Sequence, residues 1–370
     1  MSEEANNMAE AEKKITLEEM LARPTNNYFL CVNYDNEAFM NTGIQESSAT
    51  PPFASTTTGP DGKLIPGKIG VKQDIMQGMA FLGLRSGFFA TANPYYYTDF
   101  IGKVVDALKT PGSAFIQVLS SCQRGWRHPE NKGPELHKLA TESGYWPLYS
   151  IRVKDGKPTY AFQRKPTFDE DKLMQFVKGQ GKFAHIFKRP DVENITHLLV
   201  ESVRQRYDNI MNLAKSFGAT PLMESYKIDM RKVPNQEHVA PGHGLCAGCG
   251  EGEILTQLAT GVQLVAGKNV VYCNATSCTE VSTSKDNFPS WRVPWVHMLY
   301  ENVGTVADAI STGFRILKTK GLYDKPIPRV VALGGDGGLY DIGFQFLKAA
   351  LFRAGTWGVM NEDVKQDSGI

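Results

Sequence analysis

Asp336 stands among four glycines in "VVALGGDGGLYDIGFQFLKAALF", directly after an apolar run that ends at Leu333. Gly334, Gly335, Gly337 and Gly338 let backbone N–H groups approach an anion closely. A helix opening near Leu339 would add its positive N-terminal end. An aspartate there repels a phosphate unless a cation lies between them. The unit therefore points to a diphosphate bridged by Mg2+, a hard ion that takes oxygen ligands. A plain Gly-rich turn is the competing reading, because short glycine motifs are weak alone.

Asp336 cannot fill an octahedral shell by itself. The stretch "YDNEAFMNTGIQ" (34–45) sets Asp35, Asn36, Glu37, Asn41 and Gln45 at the end of another apolar run, "YFLCV". Open α/β sheets bind ligands outside strand carboxyl ends. If "YFLCV" and "RVVAL" lie side by side, Asn36 and neighbouring backbone oxygens complete the metal shell.

Cys246 and Cys249 form C-x-x-C among Gly244, Gly248 and Gly250. This spacing suits a metal or cluster, a redox disulfide, or chance. Cys31 and Cys273 fall inside predicted strands and read as small buried hydrophobes. His297 and Glu301, spaced i, i+4, are expected to share a helical face in a structural role. Trp291 and Trp295 read as packing residues of a core or subunit interface. Tyr95, Tyr96 and Tyr97 are expected to cap a loop, with no chemistry.

These residues need an α/β scaffold to position them. Short β-rich apolar runs predict strands at 28–32, 88–93, 114–119, 269–275 and 329–333, of the kind buried on both faces of a parallel sheet. Helical patterns lie between them. "TDFIGKVVDALK" carries Phe100, Ile101, Val104, Val105 and Leu108 at helical spacing. A longer helix over 191–215 has a stripe of Ile195, Leu198, Leu199, Val203, Tyr207, Ile210 and Leu213. The segment 218–242, with Pro221, Pro234 and Pro241, is expected to be a surface connector.

The chain has 370 residues, 42% apolar and 21% charged, with a formal charge of +1. That balance gives no electrostatic footprint for nucleic acid or membrane. No apolar run reaches the roughly 18 residues of a membrane span. The N-terminus lacks a signal-peptide pattern, so a cytoplasmic location is expected, with the cysteines as ligands or core residues.

Together these segments resemble the thiamine-diphosphate-binding β subunit of the 2-oxoacid:ferredoxin oxidoreductases, of the pyruvate synthase type. The carriers are "GDGG", "YDNEAFMNTGIQ", "GHGLCAGCGE" (242–251), "NATSCTEVSTS" (274–284), "WRVPWVHMLYEN" (291–302) and "LSSCQRGW" (119–126). The resemblance implies a thiamine-diphosphate-binding fold, a mostly parallel sheet flanked by helices. It implies Mg2+ held by Asp336, Asn36 and the carbonyl of Ala38. It places Gly335, Gly337, Gly338, Glu37, Ala38, Glu251, Cys278 and Asn41 at the cofactor, with Asn41 nearest the reactive carbon. It assigns Cys122, Cys246, Cys249 and Cys278 to one [4Fe–4S] cluster, which four thiolates satisfy.

The implied reaction is coenzyme A-dependent oxidative decarboxylation of a 2-oxoacid, pyruvate first and a branched or aromatic one second. The implied partners are α, γ and δ subunits or fused equivalents, and ferredoxin. A non-oxidative thiamine enzyme would not need the four thiols. A zinc-stabilised interaction protein would not need GDGG.

The motif order is rotated relative to the family. The family half that carries DNEA and SSC comes first (25–217), then the connector (218–242), then the half with C-x-x-C, NATSC and GDGG (243–355). Cyclic order is kept, so the sequence predicts a circular permutation folding as one compact unit over 25–355. The flanks 1–24 and 356–370 match nothing in the family.

Overall fold

The structure, a computed structural model, describes residues 28–219, 228–284 and 289–356. Its strands are β1 (Tyr28–Asp35), β2 (Ser86–Ala92), β3 (Gly112–Leu119), β4 (Tyr149–Lys154), β5 (Lys157–Phe162), β6 (Val270–Ala275), β7 (Trp295–Met298) and β8 (Arg329–Gly335). They form one sheet in the order β5-β4-β2-β3-β1-β8-β6-β7. Pairing is parallel throughout except at β2–β4 and β4–β5, which are antiparallel. The α/β class and mostly parallel sheet are therefore as the sequence predicts.

The helices that matter here are α1 (Ile75–Ala80), α2 (Tyr97–Lys109), α3 (Gln123–Trp126), α4 (Gly133–Glu142), α5 (Glu170–Lys178), α6 (Val192–Ser216), α7 (Gly250–Ala266), α8 (Cys278–Thr283), α9 (Val303–Thr319) and α10 (Phe344–Thr356). Alternation along each strand sends its residues to two cores. Leu30, Val32, Val331, Leu333 and Tyr272 pack with α2 and α7 on one face. Phe29, Cys31, Val330, Ala332 and Cys273 pack with α9 and α10 on the other. Burial on both faces explains why these strands read as continuous apolar runs. Cys31 and Cys273 are buried there, as expected.

β1 and β8 are parallel neighbours, with Tyr34 opposite Gly335. The two strands at opposite ends of the described chain thus meet at the centre of the sheet. The Ser113 hydroxyl, at the start of β3, donates to the Leu351 carbonyl, placing α10 along the amino-terminal edge of the strands. Whether Thr25 also lies there falls outside the described residues.

Several elements differ from the sequence expectation. GDGG does not run straight into a long helix: Asp336 leads into one π-type turn, Gly337–Asp341, and α10 begins at Phe344. In α6 the stripe turns slightly, burying Val200 and Ala214 and leaving Leu198 46% exposed. The connector is not wholly superficial. Its residues 220–227 lie outside the described set, but His238 and Val239 are buried. His238 bonds Tyr272 Oη at 2.9 Å and the Gly267 carbonyl at 2.7 Å. Among the described residues no helix is long and apolar enough to cross a membrane.

Candidate cofactor site

Four adjacent parallel strands, β3, β1, β8 and β6, deliver the chemistry at their carboxyl ends. Cys122 caps α3 just beyond β3, Asn36 follows Asp35, Asp336 follows Gly335, and Cys278 opens α8 just beyond β6. Parallel pairing puts all four ends on one side of the sheet, where loops carry function.

Asp336 is fully buried. Its Oδ2 accepts from Ser47 Oγ at 2.5 Å and its Oδ1 from the Asn36 N–H at 3.3 Å. Both partners are neutral. Burial, then the Asp35 carboxylate, pushes its carboxyl well above the ordinary value, with the Ser47 bond pulling the other way. A buried carboxylate in this state gains most from a cation. Asn36 points Nδ2 at Glu251 Oε1, 3.2 Å away, and its own Oδ1 is buried without a partner. A hard cation would use that free oxygen and the Asp336 carboxylate. At Gly335 a Cβ would meet open space, whereas at Gly337 it would strike the Phe39 ring at 2.5 Å. The donor set and the open backbone at Gly335 therefore fit Mg2+ and a diphosphate.

Glu251 heads α7 and is buried. Its Oε2 accepts from Thr279 Oγ1 at 2.6 Å. Burial raises its carboxyl, against the Thr279 and Asn36 bonds.

Asp35 and Glu37 are not free to face a ligand. Asp35 is held by Lys72 Nζ at 2.8 Å and Gln117 Nε2 at 2.9 Å. Glu37 is paired with Lys182 and with Lys72 at 3.4 Å, and the Tyr145 hydroxyl donates to it. Burial raises the Glu37 carboxyl, but the Lys182 and Lys72 ammoniums outweigh it and hold it below the ordinary value. Sequence reasoning missed Lys72, Lys182, Tyr145 and Ser47, because side chains distant in sequence give no local signal. Gln117, a lone amide inside an otherwise apolar strand, was the available clue.

The cysteine loops meet through backbone. Gly250 N–H donates to the Ser121 carbonyl at 2.9 Å, joining the C-x-x-C turn to the SSC turn. A Cβ on Gly250 would lie 2.9 Å from Ser121 N, so glycine is what permits this approach. Burial raises the Cys278 thiol, with further contributions from Glu251, Cys122, Cys249 and Cys246. Among the described residues no group of three His, Cys, Asp or Glu side chains is arranged to hold a single metal ion. A cavity of about 450 Å3 opens beside Cys246 and Cys249, lined also by Ser121, Glu130, His243 and Glu253.

Other residues fall elsewhere. Asn41 is exposed on the loop after Ala38. His297 and Glu301 do not share a helix: His297 is in edge strand β7, pinned in parallel register to Asn274, and Glu301 lies in the following turn. His297 bonds Thr276 Oγ1 at 2.9 Å. Trp291 is buried in the core and stacks on Trp295. Tyr95 and Tyr97 are exposed at the turn into α2.

The sheet and the strand-end residues define a class, an α/β protein similar to the β subunits of 2-oxoacid:ferredoxin oxidoreductases. Curated relatives bear this out. The chain is 39% identical over 193 residues to pyruvate synthase subunit PorB of Thermotoga maritima, covering 52% of this chain and 57% of the relative. It is 40% identical over 176 residues to PorB of Methanocaldococcus jannaschii, covering 47% and 56%. It is 36% identical over 190 residues to ketoisovalerate oxidoreductase subunit VorB of Pyrococcus horikoshii, covering 50% and 57%. The chain thus spans a little over half the length of the relatives it matches. No family model matches it.

Proposed function

We propose that this chain is the thiamine-diphosphate-binding subunit of a 2-oxoacid:ferredoxin oxidoreductase. The observation that carries the reading is the buried pairing of Asp336 with Asn36 at neighbouring strand ends, flanked by strand-end cysteines. In this reading Asp336, Asn36 and the Ala38 carbonyl hold Mg2+, and Gly335, Gly337 and Gly338 receive the diphosphate. Bound thiamine diphosphate supplies the carbanion chemistry that decarboxylates a 2-oxoacid, the protein supplying placement. Glu37 contributes through its backbone, since its carboxylate is engaged by lysines. Glu251 keeps the Asn36 amide in one orientation. In this reading Asn41, exposed in the isolated chain, is the residue that meets substrate. Cys122, Cys246, Cys249 and Cys278 hold one [4Fe–4S] cluster as the electron acceptor.

Partner subunits of the α, γ and δ type supply the remaining substrate contacts and pass electrons to ferredoxin, with coenzyme A taking the acyl group. Pyruvate is the first substrate choice and a branched 2-oxoacid the second, following the names of the relatives. The rotated motif order is read as a circular permutation, supported by the parallel β1–β8 pairing.

The deciding experiment has two arms. Anaerobic purification with iron and sulfide should give a brown chain with about four irons. The chain assembled with its partner subunits should reduce ferredoxin with pyruvate and coenzyme A, and be compared on a branched 2-oxoacid. A colourless chain carrying stoichiometric zinc would overturn the oxidoreductase reading.

A further inference from the structure

We propose that Trp126 and Lys182 are positioning residues that hold the Asn36–Glu37 peptide in its ligand-ready shape and tie that shape to the Cys122 turn. The inference rests on the Mg2+–thiamine diphosphate reading above.

Glu37 has a φ of 72°. For a residue with a Cβ this left-handed conformation is strained, and it persists only where the surroundings over-determine it. Here the peptide joining Asn36 and Glu37 is gripped from two sides. Trp126 Nε1–H donates to the Asn36 carbonyl at 2.9 Å. The Lys182 ammonium pairs with the Glu37 carboxylate. The two grips are themselves connected, because Lys182 Nζ sits 4.4 Å from the centroid of the Trp126 ring. Thr50 Oγ1 closes the arrangement by donating to the Glu37 carbonyl at 2.7 Å. Trp126, Lys182 and Glu37 are all buried, so these contacts act without competition from water.

The Asn36 carbonyl held by Trp126 fixes ψ of Asn36, and ψ sets how the Asn36 N–H on Asp336 and the unpartnered Oδ1 stand relative to the Ala38 carbonyl further along the chain. The same indole is rigidly linked to the cysteine side. Trp126 ends the short helix α3, whose cap is Cys122, with the Cys122 thiol accepting from the Gly125 N–H at 3.4 Å. Trp126 N–H also bonds the Cys122 carbonyl at 2.8 Å. A shift of the Cys122 turn is therefore carried by one side chain to the carbonyl of a proposed metal ligand. Lys182 arrives from a third segment, Gly181–Phe183, so its pairing with Glu37 locks all three together.

The test uses the full-length chain, reconstituted anaerobically with iron and sulfide, and equilibrium dialysis of thiamine diphosphate at graded Mg2+. Trp126→Phe keeps an aromatic ring at this position and removes the N–H donor together with part of the buried indole, so a lower ligand-free melting temperature is expected from the cavity. Affinity should fall roughly five- to tenfold, the worth of one hydrogen bond, with iron content unchanged. Lys182→Met should weaken binding further, and Lys182→Arg should recover part of it. Parent-like affinity in Trp126→Phe would overturn the proposal, as would an affinity loss matched by a parallel loss of iron. Should Trp126→Phe not fold, equal affinity in Lys182→Met and Lys182→Arg would overturn it. A parent chain that binds no thiamine diphosphate would instead overturn the reading beneath it, and the inference with it.

Discussion

Asn36 donates its backbone N–H to Asp336 Oδ1 at 3.3 Å, across 300 positions of sequence. The contact joins two loops that are unrelated locally and brings the Asp336 carboxylate against the backbone of Asn36. It exists because β1 and β8 are parallel neighbours whose register runs to Tyr34 opposite Gly335. Asp336 is destabilising in the ligand-free chain, since its carboxyl is buried beside Asp35. Strain of this kind concentrates where function requires it.

Asp336→Asn should therefore separate stability from function. The new carboxamide oxygen can still accept from the Asn36 N–H. Its Nδ2 can donate to Ser47 Oγ, which turns its own proton toward Thr50 Oγ1, 3.4 Å away. The ligand-free variant is expected to gain roughly 1 kcal/mol or more, as removal of strained site residues commonly does. Its Mg2+-dependent binding of thiamine diphosphate is expected to disappear. Urea unfolding and equilibrium dialysis on one preparation check both. Unchanged cofactor affinity would sink the metal assignment.

The cysteines give a second test. Replacing Cys122, Cys246, Cys249 or Cys278 by Ala should remove or degrade the visible iron–sulfur absorbance. Cys31→Ala and Cys273→Ala, both in packed strand interiors, should leave it and cost about 1–2 kcal/mol through lost packing. Full iron content in Cys122→Ala would remove the fourth ligand from the scheme.

The sequence made the sheet legible because both faces of its central strands are buried, leaving runs such as "YFLCV" and "RVVAL" without alternation. Asp336 and Asn36 were legible because they follow those strands, and Cys246 and Cys249 through their spacing in a glycine-rich turn, whereas Cys122 and Cys278 were singled out only through the family resemblance. The hairpin β4–β5 was missed, although Asp155 and Gly156, at φ 51° and 76°, occupy its turn. An Asp-Gly pair between two strand-like runs was the signal. The His297–Glu301 spacing misled because i, i+4 has meaning only on a helix, and Pro294 and the pairing with β6 make this segment a strand. The Lys72–Asp35 and Lys182–Glu37 pairs were not legible at all. Such ion pairs are set by tertiary placement, and a lone Lys in sequence reads as surface.

Gly250 offers a test of how the cysteine loops are held. A methyl group at this position would lie 2.9 Å from Ser121 N and 3.2 Å from Ser121 O. Neither is the end of a flexible side chain, so one loop must move. Gly250→Ala is expected to cost about 1–3 kcal/mol, the usual range for overpacking. Its specific consequence should be a drop in iron per chain larger than that in Glu253→Ala, a substitution on the same helix that removes atoms without adding a contact. Iron and sulfide assays on both variants, beside a thermal melt, decide it. Equal iron in the two would mean that the Gly250–Ser121 contact does not govern cluster assembly.

The SSC turn also carries a pH dependence. His137 on α4 is fully buried and accepts the Ser121 N–H on Nε2 at 3.0 Å. That bond needs a neutral ring with its proton on Nδ1. Burial, helped by nearby His128, lowers its pKa from 6.5 to about 3. The unfolded chain therefore binds a proton that the folded chain refuses. The sign follows: the stability contribution is complete above pH 6.5 and is lost as pH falls from there toward 3. The loss approaches roughly 1.4 kcal/mol per pH unit below the unfolded value. Between pH 6.5 and 5 the parent chain should lose more stability than His137→Gln, which has no group to protonate, while the raised buried carboxyls such as Asp336 and Glu251 are common to both proteins. Urea midpoints at pH 7.5, 6.5, 5.5 and 5 measure the difference. Parallel slopes in the two proteins would show that His137 is not the titrating group. Forced protonation would also turn the Nε2 acceptor into a donor facing the Ser121 N–H. The turn that carries Cys122 should then open first, and bound iron should be released from the parent at a higher pH than global unfolding.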